Sequence, residues 1–261
     1  MSSETPLADG QAIRFDNVVK SYRLTNGEQW SGDLRNDARR LVRRVLRRPD
    51  PDASTTVDAL AGISLTIERG DNVGLIGANG AGKSTSLKLI SKITRPTRGD
   101  LWVRGRVASL IQLGAGFHRE LSGRENVYLY GSILGLSRAQ IDERFESIVD
   151  FAELGKFMGT PLKHFSSGMT VRLGFAVAIH VDADILLIDE VLAVGDAAFR
   201  EKSAQRLEEL LATTDTTSIM VSHDLELLRQ HCQRGVLMRA GQVVADGPIS
   251  DVIDEYQGKS G

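Results

Sequence analysis

The sequence predicts an α/β fold with a helical insertion in its middle, and three observations lead to this prediction. Segments with strand character alternate with segments of helical periodicity along most of the chain. The run "ILLIDE", which begins at Ile185, is continuously apolar and ends in acids, as is typical of a buried parallel strand. From residue 122 to about residue 154 the pattern is mainly helical, and this stretch is the predicted insertion.

The individual elements follow from local patterns. Residues 12–24 read as a strand, and polar residues, an arginine-rich stretch and the linker "PDPDAS" come after it. The segment "ISLTIERGDNVGLIG" predicts strands around a Gly-Asp turn, and from Lys83 the pattern becomes helical through "KSTSLKLISKI". Short strands are expected in "GDLWVRGRVASLIQLG", and Ser137 with Gln140 predicts a capping box. "SGMTVRLGFAVAIH" predicts a helix, and "TTSIMVSH" and "RGVLMRAGQVVADG" predict later strands.

Composition narrows the class of protein. The chain has 261 residues, of which 41% are hydrophobic and 25% charged, as expected of one globular domain with a real core. A pI near 6.2 argues against general nucleic-acid binding, so we expect no nucleic-acid partner. Cys232 is the single cysteine, so no intramolecular disulfide can form, which suits a reducing cytosol. The N-terminus has no secretory pattern, and acids interrupt the richest apolar stretch, so no membrane span is expected.

The strongest motif is "GLIGANGAGKST". Its glycines, lysine and serine fill the pattern G-x-x-x-x-G-K-[ST] between a predicted strand and a predicted helix. Glycine allows backbone N–H groups to approach phosphate oxygens, and the helix N-terminus adds partial positive charge. We expect Lys83 to reach the outer phosphates and the Ser84 hydroxyl to coordinate Mg²⁺. The predicted phosphate-binding loop comprises Gly77, Ala78, Asn79, Gly80, Ala81, Gly82, Lys83, Ser84 and Thr85.

Acidic and imidazole side chains follow two later strands. Asp189 ends the run "ILLID", which places a carboxylate at the carboxyl edge of the sheet, where it can hold Mg²⁺. Glu190 is next in the chain and could polarise an attacking water as a general base; the alternative is a solvated acid at the end of the strand. His223 follows the strand in "SIMVSHD" at the same edge, where a purely structural histidine is the alternative.

A further motif identifies a family. Ser166, Ser167, Gly168 and Met169 stand where ABC ATPases usually have a Leu-Ser-Gly-Gly-Gln run, with methionine in place of the glutamine. The order of parts also resembles that family: an aromatic residue, the phosphate loop, a glutamine in "SLIQLG", the signature, "ILLIDE", an aspartate in "VGD" and a histidine. In this chain the aromatic residue, glutamine, aspartate and histidine are Tyr22, Gln112, Asp196 and His223. The resemblance covers nearly the whole chain.

This resemblance implies a P-loop NTPase fold of the ABC ATPase type. It has a RecA-like core, an antiparallel β subdomain and a helical subdomain. Residues 12–112 and 180–261 would form the core and the β subdomain, and residues 113–179 the Gln112 loop, the helical subdomain and the signature helix. All of them would belong to a single nucleotide-binding domain, residues 1–261, with a basic insertion at 30–52.

The resemblance also implies a mechanism with ATP and Mg²⁺. Two copies would pair head to tail, and Ser167 and Gly168 of one copy would contact the γ-phosphate held by the other. Gln112 would contact Mg²⁺ or the attacking water, and Asp196 would help to align the dimer interface. His223 would hold the γ-phosphate while Glu190 activates water. Tyr22 would stack on adenine; the alternative is local packing at the end of its strand.

Three segments are similar to the ATPase subunits of polysaccharide exporters: "LGAGFHRELSGRENVYLYGSILG", "FSSGM" and "DEVLAVGDAAFREK". This similarity implies two ATPase copies at the cytoplasmic face of the cell membrane, paired with two polytopic permease subunits. They would export a lipid-linked glycan, for which a cell-wall galactan precursor is our favoured substrate. Because the chain ends at Gly261, soon after the ATPase core, we expect no C-terminal carbohydrate-binding domain.

The alternatives are an ABC exporter of another substrate, an ABC ATPase of DNA repair or translation, and a nucleotide-binding regulator without turnover. Only about 80 residues separate Lys83 from Ser167, without the sustained heptads of repair relatives. The chain has one phosphate loop, whereas translation relatives usually have two. The intact Glu190 and His223 argue against a regulator.

The insertion "RNDARRLVRRVLRRPD" holds seven arginines in a chain whose formal net charge is −2. Apolar residues recur in it at helical spacing, so it predicts a basic amphipathic helix of the kind that lies on membrane surfaces. The similarity to polysaccharide exporters further implies a position of this insertion near the cytoplasmic entrance used by the lipid-linked substrate. We therefore expect six of the arginines to lie near the membrane or this entrance: Arg39, Arg40, Arg43, Arg44, Arg47 and Arg48. The alternative is a solvated helix that docks on its own domain.

Overall fold

The computed structural model describes residues 7–24, 55–111, 113–114, 116–189, 196–211 and 216–258. These residues form two sheets, with the α-helices packed around them. The strands are β1 (Gln11–Leu24), β2 (Thr55–Glu68), β3 (Asn72–Ile76), β4 (Arg98–Val103), β5 (Val107–Ser109), β6 (Ile185–Asp189), β7 (Thr217–Val221), β8 (Arg234–Arg239) and β9 (Gln242–Pro248). The α-helices are α1 (Lys83–Ile90), α2 (Gly123–Ile133), α3 (Arg138–Ala152), α4 (Ser167–Ile179), α5 (Ala197–Leu211), α6 (Leu225–His231) and α7 (Ile249–Tyr256).

The larger sheet has the strand order β5-β6-β7-β3-β8-β9. Its strands pair in parallel except for β9, which is antiparallel to β8. Strands β3, β6 and β7 are buried and rich in branched apolar residues, as strands covered on both faces require. Asp189 pairs in register with Val221, so β6 and β7 end at the same edge of the sheet. Residues that follow these strands are therefore brought together.

The smaller sheet is antiparallel, with β1 between β2 and β4. One apolar core lies between the two sheets and includes Phe15, Leu65 and Val73, together with Leu87 from α1. A second core joins helices α2, α3 and α4 to the other side of the larger sheet. The phosphate loop leads from β3 into α1, so its entrance and exit are fixed by buried side chains of the first core.

The helical segment begins its helices where the sequence predicts. Ser137 and Gln140 form the predicted capping box of α3, with the serine hydroxyl accepting from the Gln140 N–H. Ser122 and Glu125 form a second capping box on α2. Each box satisfies backbone donors that the start of a helix leaves without intrahelical partners.

Two element boundaries differ from the sequence prediction. Helix α1 ends at Ile90, three residues before the helical pattern does, because Lys92 adopts a left-handed conformation with φ 59°. The Ser91 hydroxyl also donates to the Leu87 carbonyl at 2.9 Å, which satisfies an acceptor near this helix end. Strand β2 begins earlier than its apolar pattern, at Thr55, because its first half pairs with the end of β1, for example Val57 with Tyr22.

Cys232 belongs to the core that includes α6 and α7. Burial raises the pKa of its thiol to about 12, so the reactive thiolate is not populated at neutral pH. None of the helices within the described ranges has both the length and the apolar character that crossing a membrane demands.

Candidate functional site

A cavity of about 360 Å³ opens where β3, β6 and β7 end. In an open parallel sheet this edge is where ligands bind. The described residues that line the cavity are Ala59, Asn79, Gly80, Ala81, Gly82, Lys83, Ser84, Thr85, Asp189, Val221 and His223. The fold thus brings most of the phosphate loop together with Asp189 and His223, which are more than 100 residues away in the sequence.

The loop needs glycine at two positions for steric reasons. Gly77 has φ 147°, and a Cβ there would lie 2.3 Å from the Met238 carbonyl oxygen. Gly82 has φ 111°, and a Cβ there would lie 2.8 Å from the Ala59 carbonyl oxygen. Both contacts are with backbone, which cannot move aside as a flexible side chain does. These glycines allow the loop to pass closely between β2 and β8 before α1 begins.

Lys83, the first residue of α1, is held in place by the loop itself. Its side chain is buried, with 8% of the residue exposed. The ammonium group donates to the carbonyl oxygens of Gly77 at 2.5 Å and Ala78 at 3.0 Å. Because Gly82 precedes the helix, no side chain caps its first N–H groups, and this positive end faces the cavity. The wall made by the loop therefore suits an anion with several oxygens.

Asp189 and His223 line the same cavity as the phosphate loop. Asp189 is the last residue of β6, and His223 follows β7 by two positions. The next residue, Asp224, caps α6 by accepting from the N–H groups of Glu226 at 3.0 Å and Leu227 at 3.2 Å. His223 is thus placed between a buried strand and a capped helix. The Asp189 carboxylate and the Ser84 hydroxyl are oxygen donors on one cavity, a set that fits Mg²⁺.

The signature residues lie at the start of α4. Ser166 is the N-cap, and its hydroxyl accepts from the Met169 N–H at 3.1 Å. Ser167 and Gly168 are the first two helical residues, and Ser167 is exposed. None of the four signature residues is among the described residues that line the cavity. The chain therefore has two separate surfaces suited to phosphate, the loop and the exposed N-terminus of α4.

Two other predicted residues also lie away from the cavity lining. Asp196 immediately precedes α5, and its Oδ1 accepts from the Phe199 N–H at 2.9 Å, which caps the helix. Tyr22 is on β1 and is 41% exposed, with the Lys20 ammonium 5.1 Å from its ring centroid. Glu190, Gln112 and the six arginines of the insertion lie outside the described residues.

Comparison with known proteins identifies the family. The model of the ABC transporter family matches residues 60–193, just over half of the chain. An O-antigen export system ATP-binding protein, RfbB, from Klebsiella pneumoniae is 44% identical over 245 residues. This match covers 94% of the present chain and 97% of the relative. The chain belongs to the ABC transporter family.

Other relatives are longer, and this ABC protein matches only part of their length. RfbB of Myxococcus xanthus, also an O-antigen export system ATP-binding protein, is 44% identical over 94% of the chain. The teichoic acids export ATP-binding protein TagH of Bacillus anthracis is 36% identical over 94% of the chain. The chain spans 55% of the first relative and 42% of the second.

Solved structures show the same fold. The ATP-binding subunit of an ABC transporter superposes with a TM-score of 0.70 at 21% identity, covering 96% of this chain and 95% of that structure. The chain therefore has the ABC ATPase fold that the order of its motifs predicted.

Sequence reasoning did not single out Ala59, Val221 or Arg172. Ala59 on β2 and Val221 on β7 line the cavity because of where their strands lie in the fold. Both side chains are apolar, so nothing in the sequence indicated a role in binding. Arg172 lies on α4 and contacts Asp196. Arg172 lies six residues after Ser166 in the helix that begins with the signature, and this position could have drawn attention to it.

Proposed function

We propose that this protein is the ATP-hydrolysing subunit of an ABC exporter that drives lipid-linked polysaccharide across the cytoplasmic membrane. The observation that carries the proposal is that residues of the phosphate loop, Asp189 and His223 line one cavity. A glycine-rich loop at a helix N-terminus binds phosphate, and a carboxylate beside it can hold the metal ion used in phosphoryl transfer. The relatives named above connect such a site with glycan export.

The residues of this chain divide the chemistry among them. The N–H groups at the start of α1 and the Lys83 ammonium would neutralise the β- and γ-phosphates. His223 would donate to a γ-phosphate oxygen, and Glu190, the residue after Asp189, would orient and deprotonate the attacking water. Gln112 would contact the water or the metal, and Tyr22 would stack on adenine.

Ser84 and Asp189 would hold Mg²⁺. When bound, the ion would offset the negative charge that develops on the phosphate oxygens. The two side chains lie on one cavity and provide only oxygen atoms, the ligand type that Mg²⁺ prefers. The order of the chain places the candidate base, Glu190, directly beside this carboxylate.

Catalysis would need two copies of the chain. The signature residues are not among the described residues that line the cavity. They lie instead at the exposed start of α4, which could bind an anion held by another molecule. A head-to-tail dimer would place the signature of one copy over the γ-phosphate in the other, with Asp196 at the interface. ATP would then join the two copies, and hydrolysis would release them.

The exported substrate would be a glycan on a lipid carrier, moved by two copies of a polytopic permease. Relatives named for O-antigen and for teichoic acid lie at 44% and 36% identity, which favours the class of lipid-linked polysaccharide over one sugar. A cell-wall galactan precursor is the member of this class that we propose. The protein would lie at the cytoplasmic face as a peripheral subunit.

The test is a pull-down from membranes of the native cell. Tagged Glu190→Gln protein, held with ATP and Mg²⁺, is expected to recover a small polytopic membrane protein in equal amount, identified by mass spectrometry. Lipid-linked sugar in the same fraction would identify the substrate. Recovery of ribosomes or repair factors alone would overturn the export proposal in favour of a non-transport ABC ATPase.

The arginine-rich insertion provides a separate prediction. Changing Arg43, Arg44, Arg47 and Arg48 together to glutamine is expected to lower glycan export while ATP hydrolysis in detergent stays near the wild-type rate. The reason is that each arginine near an anionic leaflet contributes about 1 kcal/mol of attraction, so four losses weaken the contact strongly. Export measured in cells that carry the variant checks this prediction, and unchanged export would contradict it.

A further inference from the structure

Arg172 lies where three elements meet. Its Nε donates to the carbonyl oxygen of Ala152 at 3.1 Å, and its Nη2 donates to Glu153 Oε2 at 2.6 Å. Its Nη1 lies 3.4 Å from Asp196 Oδ2, and its guanidinium carbon lies 4.7 Å from the ring centroid of Phe199. The Arg172 side chain is 16% exposed. One guanidinium group thus joins the end of α3, the signature helix α4 and the start of α5.

A second cation strengthens the same junction. The Lys202 ammonium of α5 donates to Glu153 Oε1 at 3.0 Å and to the Phe151 carbonyl oxygen at 3.1 Å. It also lies 4.7 Å from the Phe151 ring centroid. Hydrogen bonds from Lys202 and Arg172 hold the pKa of the Glu153 carboxyl below its usual value. Glu153 is therefore an ionised anchor that fixes both cations against the end of α3.

The two carboxylates that Arg172 contacts are held differently. The contact with Glu153, at 2.6 Å, is short and charge-assisted, whereas the contact with Asp196, at 3.4 Å, is long. The Asp196 side chain is 65% exposed, and its other oxygen caps α5. Arg172 is thus fixed to α3 and reaches from there to an exposed carboxylate at the start of α5. This geometry suits a link that guides the position of Asp196.

We propose that Arg172 is a positioning residue that sets Asp196 and the first turn of α5 relative to the signature at the start of α4. Arg172 and the signature are on one helix, less than two turns apart, so they move together. Any rotation of α4 and α3 is then transmitted through the guanidinium to Asp196. The inference rests on the proposed function, which places the signature and Asp196 at an ATP-bound dimer interface. Lysine cannot replace the arginine, because one ammonium cannot reproduce a planar fork with five N–H donors.

The chain provides a matched control in Arg144. This arginine of α3 is 23% exposed and donates to the His180 carbonyl oxygen at 2.6 Å and to Asp182 Oδ2 at 2.5 Å. It therefore also ties α3 to a neighbouring segment, the residues that follow α4. Its hydrogen bonds do not involve the start of α5. Comparing Arg172→Lys with Arg144→Lys therefore compares the loss of two similar contacts between segments, of which only that of Arg172 includes Asp196.

The first experiment measures kcat and KM for ATP in the full chain. Arg172→Lys is expected to lower kcat about tenfold and to leave KM within about twofold, because a misplaced interface group affects the reacting state more than ATP binding. Arg144→Lys is expected to leave both constants near the wild-type values. In an Asp196→Ala background, Arg172→Lys is expected to add little further loss. The proposal would be overturned if the two lysine variants lost kcat equally. It would also be overturned if the double variant Arg172→Lys, Asp196→Ala lost kcat by the product of the two single losses.

A second experiment does not depend on hydrolysis. Asp196 Oδ1 accepts from the Phe199 N–H, so amide hydrogen exchange at Phe199 reports whether the carboxylate stays in place. Arg172→Lys is expected to raise this exchange rate about tenfold, and Arg144→Lys to leave it unchanged. A wild-type protein that does not hydrolyse ATP would refute the proposed function, and the exchange rate would still decide the role of Arg172. Unchanged exchange at Phe199 in Arg172→Lys would refute this inference even where hydrolysis is normal.

Discussion

Replacing Lys83 with methionine is expected to lower ATP hydrolysis at least about a hundredfold, the usual cost of removing one preorganised charge from a reacting phosphate. The ammonium is already held in the loop by the carbonyl oxygens of Gly77 and Ala78, and its residue is buried. These contacts fix the ammonium within the loop before phosphate arrives, so it acts on the transition state from a preorganised position. Methionine keeps the apolar length of the side chain but removes the charge. Phosphate release at saturating ATP measures the effect.

Lys88→Met provides the control for this variant. Lys88 lies in the last turn of the same helix, where a cation favours the negative helix end, and it is not among the residues that line the cavity. We expect this change to cost a few tenths of a kcal/mol in the free energy of unfolding, about the size of a helix-end charge effect, and to leave hydrolysis unchanged. If Lys83→Met hydrolyses ATP as fast as Lys88→Met, the phosphate assignment of Lys83 is wrong.

The fold could be predicted where local chemistry decides it. The capping box of Ser137 and Gln140 and the buried run that ends in Asp189 are readable because their signals lie within a few residues. The first half of β2 could not be predicted from its own sequence. It forms a strand because it pairs with the end of β1. The end of α1 at Ile90 depends on the left-handed Lys92, which the helical pattern around it does not indicate.

The residues of the candidate site also divide into those that a local sequence pattern indicates and those that depend on how the elements pack. The predicted phosphate loop is contiguous, so its pattern of glycines, lysine and serine can be recognised in the sequence alone. Asp189 and His223 were expected at one edge because parallel strands end together, and the register of β6 with β7 places them there. Ala59 lines the cavity and Arg172 contacts Asp196 only because separate elements pack together, which a local sequence pattern does not show. Their positions depend on how β2 and α4 pack.

Replacing Glu190 with glutamine is expected to abolish phosphate release while ATP-driven dimerisation persists. A general base contributes about 10²–10⁴-fold to a rate, and glutamine retains the size of the side chain but cannot accept the proton. In the proposed mechanism, ATP binding depends on other groups, namely the loop with Lys83 and the side chains of Ser84 and Asp189. The variant should therefore stay in the ATP-bound dimer, since hydrolysis is the step that would separate the two copies in the proposed mechanism. Single-turnover phosphate release and size-exclusion chromatography with ATP measure the two properties.

Glu208→Gln on α5 is the matched change, because it removes one exposed carboxylate of the same chemical type away from the cavity lining. It should alter neither hydrolysis nor dimerisation, so a shared effect of both variants would indicate a general response to lost negative charge. Normal hydrolysis in Glu190→Gln would show that another group activates the water. In that case His223, which lines the same cavity, becomes the first residue to replace. Loss of both hydrolysis and dimerisation would instead assign Glu190 to nucleotide binding, because a group that acts only in the transition state cannot weaken the ATP-bound dimer.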